Sequence, residues 1–150
     1  MANICINTLK VKGDSKQLNH FISKTKDKKS NKELLLENLI PIPSSIVDDE
    51  EQIDWKNEVW GTTYTCDCKY ETISETEVII RFFSKWSPPI GWVQIVAKLY
   101  GRLSFSLKYK EEEIGFHGSF HAKGPNTRDY RSVSFGYPVD GYKSNPFIGK

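Results

Sequence analysis

The 150-residue chain contains no apolar run of the roughly 20 residues that a membrane-spanning helix needs. It has three cysteines, an odd number, and Cys66 and Cys68 are too close in sequence to form a disulfide framework. It also lacks a dominant charge. Lysine plus arginine number 21 and aspartate plus glutamate 19, a net +2, so overall charge alone does not mark a nucleic-acid binder. The opening MANICINTLKVKG places Lys10 and Lys12 inside its apolar stretch and reads as neither secretion signal nor spanning helix. A reducing cytoplasm is the expected compartment, with no membrane contact. What is present is a globular composition: 38% hydrophobic, 13% aromatic and 27% charged. That is too aromatic for a disordered chain, and the length suits one domain with a sizeable core.

Charge is distributed in blocks. Residues 1–38 carry eight Lys/Arg against four Asp/Glu, residues 39–85 four against ten, and residues 86–150 nine against five. Solvated surface segments account for such blocks, and a dipolar surface steering a charged partner is the sharper reading. Residues 124–150 interleave four glycines and three prolines with Tyr130, Phe135, Tyr137, Tyr142 and Phe147. This segment reads as an irregular aromatic tail, so the organisation is a domain over 1–123 and a tail over 124–150.

Ile4 to Val11 alternates and ends before Gly13, giving a first strand. Asp14 and Gln17 resemble a capping box for a helix whose apolar stripe is Leu18, Phe21, Ile22 and Thr25. Leu34 to Leu36 is expected as a short strand and Asp48 to Glu58 as an acidic helix. Tyr64–Thr72 and Val78–Ser84 form a hairpin. The segment from Ile90 to Tyr100 leaves only Gln94 and Lys98 as a polar stripe, so this helix must lie in the core. Ser87 is expected to cap it, with Pro88 where a proline loses no hydrogen bond. Leu103–Tyr109 and Phe116–Ala122 alternate as half-buried strands. This order predicts an α+β ferredoxin-like sandwich: a mainly antiparallel sheet with two helices on one face, followed by the irregular tail.

The chemistry-bearing residues form no recognisable catalytic set. His117 and His121 stand four apart on a strand, about 13 Å, beyond the span of one ion, and no set of four ligands gathers around Cys66 and Cys68. Neither a metal nor a cofactor is expected. A thiol–imidazole pair from these residues has no local support, and Glu111–Glu113 reads as a solvated turn. Phe105, Tyr109, Phe116 and Phe120 share the apolar faces of their strands. The opposite faces carry Lys108, Lys110, His117, His121 and Lys123, with Phe83 nearby, a mildly basic surface without a stacking platform.

Two strings remain: Asn57–Glu58–Val59–Trp60–Gly61–Thr62–Thr63–Tyr64 and Phe83–Ser84–Lys85–Trp86–Ser87–Pro88–Pro89–Ile90. With Asn3, Cys5 and Asn7 at the start, Pro41 and Pro43, and Gly115–Phe116, they resemble the YubB-type ferredoxin-like domain family of phage and plasmid proteins. Thr63 and Tyr64 depart from that pattern, which has lysine and tryptophan there. The resemblance implies a fold and a mobile-element origin and carries no activity. Turn chemistry explains much of both strings, and a patch lined by indoles is the functional reading. The leading expectation is a non-enzymatic phage or mobile-element accessory protein that binds a host macromolecule, with a host protein, a defence component, as the expected partner. Its candidate contacts are Trp60, Thr62, Tyr64, Trp86, Tyr130, Tyr137 and Tyr142. A single-stranded nucleic-acid-binding module and a small-molecule or nucleotide binder at the two-tryptophan region are the alternatives.

Overall fold

A computed structural model describes residues 3–29, 34–113 and 115–133. Strand β1 (Ile4–Gly13) alternates buried and open positions, as its sequence demands. Asp14 caps helix α1 (Ser15–Thr25), its Oδ2 accepting from the Gln17 amide at 3.0 Å. The return half of a capping box is absent, because Gln17 Oε1 accepts from the Arg102 amide instead. The expected strand at Leu34–Leu36 is a single bridge from Leu34 to Lys26, followed by a 3-10 turn over Leu36–Asn38. Helix α2 (Asp49–Val59) starts at a capping Asp48 with three acids in its first turn, which suits the positive end of a helix dipole. Strands β2 (Thr65–Ser74) and β3 (Glu77–Lys85) form the hairpin. Helix α3 (Ile90–Leu99) is followed by β4 (Leu103–Glu111), β5 (Phe116–Lys123) and β6 (Asn126–Val133).

The six strands form one antiparallel sheet in the order β2-β3-β1-β4-β5-β6. The first four places are a ferredoxin-like arrangement, and β5–β6 lengthens it past β4. The sheet therefore does not end at residue 123. Glycine and proline at 124 and 125 make a hairpin turn, and Asn126–Val133 is a regular strand paired to β5. Tyr137 and Tyr142 lie outside the described residues.

Both α1 and α3 pack on the same face. Phe21 of α1 meets Trp92 of α3 with ring centroids 6.0 Å apart and Phe105 of β4 at 5.5 Å. The strands supply Cys5, Leu9, Val11, Val78, Ile80, Phe82, Leu103 and Leu107 to that core. Helix α2 buries no residue fully and attaches at the side, Trp55 standing edge-on to Trp60 at 5.5 Å. No helix among the described residues is long and apolar enough to cross a membrane.

A β-bulge interrupts β2, where plain alternation would put Cys66 and Cys68 on one face. The register slips between Cys66 and Lys69, and Asp67 takes φ 50°. Cys66 pairs with Phe83 and is half-buried, whereas Cys68 is buried in the core, so the two thiols do not share a face. Burial pushes the Cys68 thiol up to about 12.

Val93 is fully buried and Lys98 exposed on α3. Val93→Ala is expected to cost about 1–3 kcal/mol through lost burial and the cavity left behind, and Lys98→Ala under about 0.5 kcal/mol. Urea unfolding midpoints compare them, and equal midpoints would contradict this helix orientation.

Candidate nucleic-acid interface

The sequence strings converge on one corner. Asn7, 1% exposed, donates from Nδ2 to Ser84 Oγ at 2.8 Å and to the Cys5 carbonyl at 3.2 Å. Ser84 Oγ donates to the Ser87 carbonyl at 2.7 Å, and Ser87 Oγ donates to the Gly61 carbonyl. Ser87 therefore ties two turns together rather than capping α3, whose N-cap is Pro89 without a side-chain bond. Thr62 Oγ1 donates to the Lys85 carbonyl at 2.8 Å, and Trp60 Nε1 to the Ile40 carbonyl at 3.0 Å. Gly61 has φ 95°, and a Cβ there would meet the Pro88 carbonyl oxygen at 2.8 Å. Trp60 and Thr62 are buried, 4% and 0% exposed, and serve the packing of this corner. The hollow beside Trp60 and Tyr64 holds about 200 Å³ and is not lined by Trp86. That is below the roughly 300–1,000 Å³ usual for a small-ligand pocket.

The helices cover one face of the sheet and leave the other open. Pairing sets the open-face side chains in rungs. Ile6, Lys110, His117 and Ser132 share one rung, Thr8, Lys108, Ser119 and Tyr130 the next, and Lys10, Ser106, His121 and Arg128 the third. Strands β4–β6 place Lys108, Lys110, Lys123 and Arg128 on this face, while their acids Glu111 and Asp129 fall on the helix side. Among the described residues, the ion pairs near this face are Lys10–Glu77, Arg81–Glu71 and Lys110–Glu112, so Lys108, Lys123 and Arg128 have no carboxylate partner.

Tyr130 is the aromatic that this basic half was read as lacking. It is 41% exposed and stands edge-on to His121, centroids 6.3 Å apart. His121 bonds Ser106 Oγ at 3.0 Å and Ser119 Oγ at 3.2 Å, which fixes its ring. Two shallow concavities adjoin this pair. One, of about 510 Å³, is lined by Lys108, His117, Ser119, Tyr130 and Ser132 among others. The other, of about 290 Å³, takes in Ser106, His121, Lys123, Asn126 and Arg128. Burial, then the Lys108 and Arg128 charges, hold His121 below its ordinary range. No group of three or more His, Cys, Asp or Glu able to hold a metal occurs among the described residues.

On the helix side of the same strands, the Tyr109 hydroxyl donates to Asp129 Oδ1 at 3.1 Å and accepts from Arg131 Nε at 3.2 Å. The Arg131 guanidinium lies over the Tyr109 and Phe116 rings. These contacts hold β6 to the sheet and so present Arg128 and Tyr130 outward. The sequence signal was the alternation of Arg128, Tyr130 and Ser132 with Asp129 and Arg131, hidden by the glycines and prolines around it.

Residues 63–135 match the family model described as a ferredoxin-like domain in Api92-like protein. The match spans β2 to β6 and the Trp86–Pro89 string, and it shows the ferredoxin-like class read from the fold. No curated protein and no solved structure matches the chain.

Gly118 lies between Tyr109 and Arg131 in the sheet, and a Cβ there would collide with the Tyr109 hydroxyl and the Tyr130 carbonyl. Gly118→Ala is expected to cost about 1–3 kcal/mol, because overpacking forces β6 away. Denaturant unfolding together with amide exchange on β6 measures it, and unchanged protection of β6 would refute this account of its docking.

Proposed function

We propose that this chain is a non-enzymatic, single-stranded nucleic-acid-binding module whose ligand lies across the open sheet face. One observation carries the reading: of the five Lys and Arg on strands β4–β6, four, Lys108, Lys110, Lys123 and Arg128, lie on the open face, while Arg131 and both carboxylates lie on the other. A net charge of only +2 thereby becomes a locally positive surface. Phosphates meet Lys108, Lys123 and Arg128, and Tyr130 supplies a ring for a base. The serine hydroxyls beside them add hydrogen-bonding partners.

The string resemblance supports a YubB-type protein of a phage or plasmid, acting in the host cytoplasm. A host defence protein captured through aromatic residues is the other reading. What favours it is the exposure of Tyr64 and Trp86 at one end of the sheet, 50% and 47%. Among the described residues the candidate aromatics do not gather for that purpose, since Tyr130 lies on β6, four strands from β3.

Fluorescence anisotropy with labelled single-stranded oligonucleotides tests the proposal. Affinity should fall steeply with salt, with a log–log slope of about −2 for three phosphate contacts on a single strand. Lys108→Glu and Arg128→Glu should each weaken binding by about tenfold or more, and Lys98→Glu should not. Absence of binding at low salt, or indifference to both reversals, would reject it.

A pH dependence follows from the ring held between Ser106 and Ser119, facing Lys108, Arg128 and Tyr130. In the free protein burial, then the Lys108 and Arg128 charges, lower the proton affinity of His121. A phosphate opposes those cations and raises the proton affinity of the ring, so the complex takes up a proton. Affinity is therefore expected to rise as pH falls from about 8 to about 6, across the ordinary histidine range. His121→Gln should flatten that profile, as measured by anisotropy at constant ionic strength.

A further inference from the structure

We infer that Trp86, with Tyr64 beside it at the end of the sheet, is a base-stacking site that extends the nucleic-acid path beyond β4–β6. This rests on the open-face reading above. Trp86 has φ 70°, a left-handed conformation that disfavours a bulky side chain. Glycine would meet that backbone demand without strain. The indole does not repay the strain by burial, because it is 47% exposed, whereas Pro88 and Pro89 just after it are buried. A strained, exposed tryptophan on a firmly held backbone is what a preorganised binding residue looks like.

The backbone here is firmly held. The Trp86 amide donates to the Asn3 carbonyl at 2.7 Å, and the Lys85 amide to the Tyr64 carbonyl at 3.1 Å. Ser84 and Ser87, on either side, belong to the hydrogen-bond chain from Asn7 to Gly61, which is buried at Asn7 and partly buried beyond it. Tyr64 is 50% exposed, and Ile4 and Ile6, on the neighbouring strand, are 44% and 42% exposed. Ile6 pairs with Phe83 on one side and Lys110 on the other, so the open face runs without a break from the end of β3, next to Trp86, into the basic half. Such a division fits a single strand, whose phosphates need cations and whose unpaired bases need rings. A duplex has no free bases to offer to it.

Trp86→Gly separates the roles of the residue. If the indole serves the ligand, the variant keeps or raises its thermal midpoint, because strain is relieved. Its affinity for single-stranded oligonucleotide falls by about tenfold, a change of about 1.4 kcal/mol, which is within the range for one stacked base. The salt slope stays unchanged, since no phosphate contact is lost. Trp86→Phe, which keeps a ring, should recover part of the loss. A marked fall in midpoint would show the indole to be structural and overturn the inference. So would unchanged affinity in Trp86→Gly while the parent protein binds, a result that leaves the open-face reading standing. Failure of the parent protein itself to bind removes both.

Discussion

The buried side chain of Asn7 is the constraint on which the rest of the structure depends. A carboxamide in an apolar core is costly unless satisfied, and its donors here reach Ser84 Oγ and the Cys5 carbonyl. Ser84 then reaches the Ser87 carbonyl, and Ser87 reaches Gly61. One hydrogen-bonded chain thus joins the central strand β1, its neighbour β3, the turn that leads into α3 and the turn that leads into β2. Gly61 and Gly91 let those turns close, since a Cβ at either would strike backbone of the other segment. Separated strings in the sequence are neighbours because each supplies one group that another must satisfy.

Helices α1 and α3 leave the antiparallel strands β1 and β3 at opposite ends of the sheet, yet both turn their apolar stripes onto the same face, which leaves the other bare. Phe21, Trp92 and Phe105 meet on the covered face and exclude water. Alternation along each strand then decides everything on the other face. In β4 it sends Lys108 and Lys110 outward and Tyr109 and Glu111 inward. In β6 it sends Arg128 and Tyr130 outward and Asp129 and Arg131 inward. The positive surface is therefore a consequence of register, and a one-residue slip would reverse it.

The elements with strong periodicity were legible in the sequence. The alternation in β1, β4 and β5 and the apolar surface of α3 have one physical solution each, and they define the ferredoxin-like core. The failures have local causes. Leu34–Leu36 looks like a strand, but its neighbouring backbone is claimed by Thr65, which bonds both the amide and the carbonyl of Leu34. Cys66 and Cys68 look like partners on one face until the bulge at Asp67 divides them. Asn126–Val133 looks irregular because its composition resembles a tail. Its strand character comes from tertiary contacts, the Tyr109–Asp129–Arg131 set above all, and no local propensity encodes those. The basic half of the candidate site was read from the sequence, but its aromatic residue was not placed there, because that depended on β6.

The attachment of β6 joins the stability of the fold to its proposed work. Asp129 is pushed up from the usual carboxylate range, first by burial, with the Tyr109 hydroxyl and Arg131 acting the other way. Its Oδ2 has no hydrogen-bond partner among the described residues, an unfavourable arrangement for an edge strand. The fold tolerates it because the same carboxylate accepts from Tyr109 and shares its strand face with the positive charge of Arg131, which covers two aromatic rings. Removing the acid would relieve one desolvated oxygen but take from the Tyr109 hydroxyl the acceptor of its own proton. A locally imperfect contact on the helix side thus keeps Arg128, Tyr130 and Ser132 in register with Lys108, His117 and His121 on the open side. The two faces are linked through the backbone of a single strand. Changes made to the hidden face are therefore expressed on the open face.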